Sequence, residues 1–285
     1  SMTAQVFFSW GANDARVYMD TGGISKHLLI GGCPIPPPQK KAQEKHLRLV
    51  SQIRKKGAKY VLALFDSSFE SKMFYGFFLS WLLKDPNLGL IIKSKGSVNV
   101  GSAWLDIQAD GLDGLVENAF QTGRLHIADA KASPADVATV VDFSVGIGSY
   151  SAVTLSALNG ARVLLVDFER LDQGIAAQST FLLHSLGPNR CVFYEFDSVK
   201  NAILEYADNP ESNPELGNAS PVLDLIDPFR DGLAGQRMGE YIKWYLDGRD
   251  QGLNRDGSLL QATEKYAAKW GEDKVVRGLA GLEAV

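Results

Sequence analysis

The chain has 285 residues, 45% of them hydrophobic and 22% charged, with a net charge of −4. That suffices for one large or two small globular domains, and the acidic balance gives no support for nucleic acid as the main partner, which usually needs a basic face. No apolar run approaches the roughly 20 residues that cross a bilayer; the two cysteines, Cys33 and Cys191, lack metal-type spacing, and the four histidines form no HxxxH or HExxH pattern, so a reduced, cytoplasmic protein with no metal site is expected.

Gln5–Trp10 reads as a strand, Asn13–Asp20 as a short helix and His27–Ile30 as a second strand. Gly31–Pro38 (GGCPIPPP) follows, with four prolines that forbid helix and make a stiff, extended linker. Residues 1–40 are too few for a domain and read as the last strand-helix-strand piece of a larger one, plus its linker.

Beyond the linker, strands and helices alternate. Lys41–Lys56 is a basic amphipathic helix, and Tyr60–Phe65 (YVLALF) a continuous apolar strand of the kind buried on both faces of a parallel sheet. Ser71–Lys84 is a helix stopped by Asp85-Pro86; its aromatics Phe74, Tyr75, Phe77, Phe78 and Trp81 are expected in the core. Leu88–Lys93 is a strand, Gly111–Gln121 a helix and Arg124–Ala128 a strand. Ser133-Pro134 opens a short helix, with serine at the cap and proline at the first position. Thr139–Phe143 reads as a strand, Ser149–Leu158 as a helix, Ala161–Val166 and Arg190–Tyr194 as strands, and Ser198–Ala207 as a helix. Asn209–Pro221 is a polar loop, and Gly235–Leu246 and Ser258–Trp270 are helical. Such alternation predicts a doubly wound, Rossmann-like parallel α/β sheet over 41–285, closed by C-terminal helices.

Ligands of such sheets bind beyond the carboxyl ends of the strands. Those ends carry Asp66 and Ser67, then Lys93 and Lys95, then Asp129, then the run Asp142–Ser151 (DFSVGIGSYS). In that run Ser144, Gly146, Gly148, Ser149 and Ser151 place small residues and hydroxyls where a helix begins, so free N–H groups and the positive end of the helix dipole can hold an anion. Lys93 and Lys95 would add point charges suited to a phosphate or diphosphate. The run is not a Walker A loop, because no Gly-Lys-Ser/Thr follows, and Ser151 replaces the third glycine of a dinucleotide fingerprint. Asp66 equally fits a helix cap, Lys93 and Lys95 equally fit solvated surface, and Asp167 fits either a sugar-hydroxyl ligand or a cap.

Several segments together suggest a family: Trp10-Gly11 with the later LLIGGCP, YVLALFDSS, LGLIIKSKG, VVDFSVGIGSYSAVTLSALNGARVLLVD and LIDPFRDGLAGQRMGEYIKWYL. In this order the chain resembles the C-terminal, donor-binding half of a GT-B-fold glycosyltransferase of the bacterial surface-polysaccharide type. The resemblance implies a single donor-binding domain over 41–285 and, in 1–40, the remnant of an acceptor domain otherwise missing. It implies a nucleotide-sugar donor with its phosphates against Gly146–Ser151, offset by Lys93 or Lys95 without a metal or other cofactor, and with the base near Ile127–Asp129. The acceptor would be a growing polysaccharide, capsular or other, or a lipid-linked glycan, with room for association with the inner face of the membrane. Asp231 and Arg237 would touch the donor sugar or lock the domains, and equally fit surface ion pairing or capping. Many retaining members carry two glutamates flanking the phosphate-loop helix; Ser144 and Leu155 stand at roughly those places, which argues against that subgroup and leaves the catalytic base unassigned. Three alternatives remain: a non-catalytic nucleotide-binding or assembly module of this fold, an NAD- or FAD-dependent oxidoreductase, and a sugar-nucleotide epimerase.

Overall fold

The computed structural model describes residues 3–65, 71–93, 112–129, 131–147, 150–168, 170 and 182–277. In chain order the elements are β1 (Thr3–Ser9), α1 (Ala12–Asp20), β2 (Ile24–Ile30), α2 (Lys40–Lys55), β3 (Tyr60–Phe65), α3 (Ser71–Lys84), β4 (Leu88–Lys93), α4 (Asp113–Gln121), β5 (Leu125–Ile127), α5 (Pro134–Ala138), β6 (Phe143–Ile147), α6 (Tyr150–Leu158), β7 (Val163–Val166), β8 (Val192–Phe193), α7 (Phe196–Asp208), α8 (Leu223–Ile226), α9 (Ala234–Asp250), α10 (Arg255–Trp270) and β9 (Val275–Val276). They divide into two compact units. One comprises the described residues of Ser1–Pro37 and Val222–Val285 with Leu182, the other those of Pro38–Ile175 and Leu183–Pro221.

In the first unit β1 and β2 are parallel and β9 pairs antiparallel with β2. α1 and α8 cover one face of this sheet through Ala12, Ala15, Tyr18 and Leu225, packed with Leu28 and Ile30. Tyr241 of α9 and Leu259, Ala262 and Tyr266 of α10 cover the other, around Leu29. A Cβ on Gly11 would lie 2.5 Å from the carbonyl oxygens of Leu225 and Ile226, so only glycine admits α8 here. Gly32 has φ +85, a conformation side chains disfavour, and the Asp227 carboxylate accepts the next N–H, that of Cys33, at 3.0 Å. The grouping departs from the sequence expectation that everything after the linker forms one domain: the segment from Val222 belongs with the N-terminal strands. Its bonds explain why, since the Tyr266 hydroxyl donates to the Ile30 carbonyl at 2.8 Å and β9 extends the β2 ladder.

The second unit holds a parallel sheet of six strands in the order β5-β4-β3-β6-β7-β8. The chain starts in the middle with β3, builds outward through β4 and β5, then crosses to β6 on the other side of β3. The order therefore reverses between β3 and β6, which is the switch point of a doubly wound sheet. Side chains alternate between its two faces. Leu62, Leu64, Leu90, Ile92, Val145 and Leu164 pack against α3, α4 and α7, whose Phe74, Phe78, Val116, Ala119, Val199 and Ile203 are buried. Val61, Ala63, Phe65 and Ile91 pack against Val50 and Ile53 of α2, Val137 and Ala138 of α5, and Ala152 of α6. Gly89 lets α2 approach closely, since a Cβ there would lie 2.2 Å from Cγ2 of Ile53. The α3 aromatics lie in the core as expected, with Phe77 stacked on Phe196 at a centroid distance of 5.1 Å.

One strand is displaced from its expected place. Thr139–Phe143 reads as a strand in the sequence, but the strand is Phe143–Ile147. Thr139 ends α5, with its hydroxyl bonded to the Ala135 carbonyl, and Asp142 closes the amino end of the sheet by accepting the Val61 N–H at 2.7 Å and the Arg54 guanidinium at 2.8 Å. The alternation Phe143, Val145, Ile147 supplies the apolar face, and the small Ser144 and Gly146 occupy the face toward α2, α5 and α6.

Candidate functional site

The register of the large sheet sets a common level at its carboxyl edge. Phe65 of β3 pairs with both Lys93 of β4 and Gly146 of β6, Ile147 pairs with Val166 of β7, and Ile92 pairs with Ile127 of β5. From this edge the chain passes from Ile147 to α6, which begins at Tyr150. The N–H groups of the first turn of α6, and the positive end of its dipole, thus lie beside the switch point.

Lys93 is the last residue of β4 and is buried, at 8% exposure. It has the parity of Ile91, so its side chain lies on the α2 face rather than in bulk solvent. Ser151 is exposed in the first turn of α6. Asp129 lies two residues beyond β5, exposed; the Lys131 N–H, at 2.9 Å, and the Lys45 ammonium, at 3.7 Å, hold its carboxyl below the usual range. Ser144 and Gly146 are corrections. Both lie inside β6 rather than in the turn, and Ser144 is fully buried, with an Oγ that finds no hydrogen-bond partner among the described residues. Gly146, held in the ladder between β3 and β7, stands level with Phe65 and Lys93 at the carboxyl edge, and Ser144 lies two residues further back. Asp66, Ser67, Lys95, Gly148 and Ser149 lie outside the described residues.

Asp167, the first residue after β7, carries a feature that sequence reasoning missed. Its Oδ2 is 2.9 Å from Nε2 of His184, with side chains 3% and 11% exposed. The sequence left Asp167 between two roles and treated His184 as scattered; the partners are 17 positions apart, and LLHSL contains no sign of a partner. Asp231 and Arg237 pair with each other, and the arginine is buried rather than at the surface. Arg237 is 1% exposed, bonds both carboxylate oxygens of Asp231 and the Gly31 carbonyl, and stacks on Phe229 at 3.5 Å and Trp270 at 4.7 Å.

No protein-family model matches this chain, and no curated protein matches it. Solved structures similar to it include the following two. One is that of Anabaena Alr3699/HepE in complex with UDP and glucose, with a TM-score of 0.49 and 13% identity, covering 84% of this chain and 63% of that one. The other is that of a variant of the wall teichoic acid polymerase TagF soaked with CDPG, with a TM-score of 0.50 and 13% identity, covering 88% of this chain and 58% of that one. This chain therefore spans less than two thirds of either structure's length. The likeness to TagF establishes the fold, a doubly wound α/β sheet of the GT-B type.

Proposed function

We propose that the chain carries the donor-binding part of a glycosyltransferase, taking a nucleotide-sugar at the carboxyl edge of the large sheet for transfer to a glycan or lipid-linked acceptor. The observation that carries this reading is the placement of the α6 N-terminus beside the β3/β6 switch point, with Lys93 buried at the same level two strands away. N–H groups and a helix dipole aimed at one point favour an anion. A lysine beside them would offset the negative charge that develops on a departing diphosphate, a task otherwise given to a metal ion. The presence of CDPG in the TagF structure is in keeping with a nucleotide-linked donor. An acceptor-binding partner domain would supply the catalytic base. The acceptor class, whether capsular or other polysaccharide, and contact with a membrane surface belong to the same proposal; among the described residues no helix is long and apolar enough to cross a membrane.

The test is a thermal-shift and calorimetry panel of UDP, GDP, CDP, CMP and TDP and their sugar conjugates, with NADH as comparator. A ligand at 100 times its Kd stabilises the folded state by about 2.7 kcal/mol. A shift with one nucleotide family and its sugar conjugates, and none with NADH, is the expected result. A shift with NADH alone would make the site that of a dinucleotide enzyme, and no shift with any of them would refute the donor site.

A further inference from the structure

The charge of helix α2 has no role in the donor site, and it is set apart from the rest of the chain. Residues 40–59 hold six lysines, two arginines and one acid, Glu44, in a chain whose net charge is −4. Two of these eight cations are held within the fold: Arg54 pairs with Asp142 at 2.8 Å and Lys45 with Asp129 at 3.7 Å. The other six, Lys40, Lys41, Arg48, Lys55, Lys56 and Lys59, are exposed, and none forms an ion pair with a carboxylate among the described residues.

The helix arranges this charge on one side. His46, Val50 and Ile53 are its buried face, with Val50 and Ile53 against the sheet. On the opposite face Lys41, Arg48 and Lys55 follow at seven-residue spacing, close to two full turns, and so form one line about 21 Å long. Lys45 and Gln52 flank the line on one side, Lys40 and Ser51 on the other, and Glu44 lies on the same face without an ion pair to any of them. Leu47 stands beside Lys40 and Ser51 and is 52% exposed. The line is a convex ridge, because it runs along the outside of a helical cylinder.

The shape and the residue types select the anion. A soluble polyanion is gripped in a groove, with aromatic rings between the cations; this ridge is convex, and no aromatic residue lies in 40–59 before Tyr60. A discrete phosphate is gripped by the arginine fork, whereas five of the six unpaired cations are lysines, which act as point charges in a broad field. A plane of anions with an apolar layer beneath it meets a convex basic ridge along its whole length and also covers Leu47. Four to eight cations on one amphipathic helix suit such a surface. The negative charge elsewhere on the chain is repelled by it, which turns α2 toward it.

We propose that the outer face of α2 docks on a bilayer surface rich in anionic phospholipid. The apolar face of α2 is covered by the sheet, so the helix lies on the headgroups and only Leu47 reaches below them. This deepens the membrane contact that forms part of the proposed function and rests on that reading for its place there, but it needs no occupied donor site.

The experiment is flotation of the full chain, without nucleotide, on vesicles of phosphatidylcholine alone and with about 30% phosphatidylglycerol, at low and high salt. Wild type is expected to float only with the anionic vesicles and to be released by salt. A cation near an anionic surface contributes about fivefold in affinity, so the triple variant Lys41→Gln, Arg48→Gln, Lys55→Gln should bind about a hundredfold more weakly, with Tm unchanged. Lys41→Arg with Lys55→Arg, which keeps the charge, should float like wild type. Leu47→Gln should weaken vesicle binding and leave any binding to dextran sulfate, a soluble polyanion, unchanged. Failure of wild type to float, or equal flotation of the triple variant, overturns the assignment. Binding to dextran sulfate without flotation also overturns it, by making α2 a site for an anionic polymer. Flotation of wild type without any nucleotide-induced thermal shift would remove the donor site and leave this assignment standing.

Discussion

Gly89→Ala tests how the strand carrying Lys93 is held. The new methyl would lie 2.2 Å from Cγ2 of Ile53, 3.2 Å from Cβ of Ala58 and 3.3 Å from Cγ2 of Val61. Carbon atoms in contact sit about 3.5–4.0 Å apart, so α2 and β4 must separate by more than an ångström or Ile53 must leave its rotamer. Ile53 is fully buried between the helix and the strand and has no free space to enter. Inserting a methyl into such a place costs about 1–3 kcal/mol. The reduced freedom of alanine in the unfolded chain returns about 0.5–1 kcal/mol. Because the overlap is deep, a net loss of about 2 kcal/mol is expected, or a fall in Tm of about 4–8 °C. The assay is urea unfolding followed by circular dichroism, run as a double-mutant cycle with Ile53→Ala. That variant alone costs about 2–5 kcal/mol, but it removes Cγ2, so adding the alanine at 89 should then be neutral or stabilising. A coupling near 2 kcal/mol is the expected outcome. Equal cost for Gly89→Ala in both backgrounds, or no cost in wild type, would refute the close approach of α2.

The other predictions concern charge. His46 of α2 is buried, and burial pushes its imidazole below the usual value, outweighing the Ala42 backbone and the Asp136 and Asp129 carboxylates, which raise it. A base whose folded value is depressed contributes stability above its unfolded value of about 6.5, lost as pH falls toward the folded one. His46→Leu should therefore match or exceed wild-type stability at pH 7 and remove its loss of stability as pH falls below about 6.5, as denaturant midpoints at neutral and acid pH will show. At Asp231 burial works to raise the carboxyl, but hydrogen bonds from Arg237 and the Leu233 N–H outweigh it and hold the group below 3.8. Its stabilisation is present above that value and is lost as pH falls through the lower folded one. Asp231→Ala leaves a buried guanidinium without its acid; with the Asp231 side itself exposed and screened by solvent, the loss should be about 1–3 kcal/mol at neutral pH, with a flatter acid limb below pH 4. Lys93→Ala should weaken nucleoside-diphosphate binding in a salt-sensitive way; an unchanged salt slope in titrations would place Lys93 outside the site.

Legibility followed the kind of signal each residue leaves. Tyr60–Phe65 and Leu88–Lys93 were read to the residue because a strand covered on both faces must be apolar throughout. Phe143–Ile147 was shifted because FSVGI mixes large and small residues, and only the closeness of the helices beneath makes Ser144 and Gly146 suitable there. That shift took two residues out of the expected anion-binding turn. The pair of Asp167 and His184 left no sequence sign, since it forms where a strand end and a later helical turn converge.

What the sequence determined alone was the alternation of strand and helix, the break at the prolines and the level of the strands at which Lys93 stands, all of them properties of short windows governed by side-chain period and backbone sterics. The tertiary structure alone decided which strands are neighbours and hence where the order reverses. It likewise decided that the segment after Val222 joins the N-terminal strands, because an amphipathic helix specifies an apolar face but not the surface that will cover it.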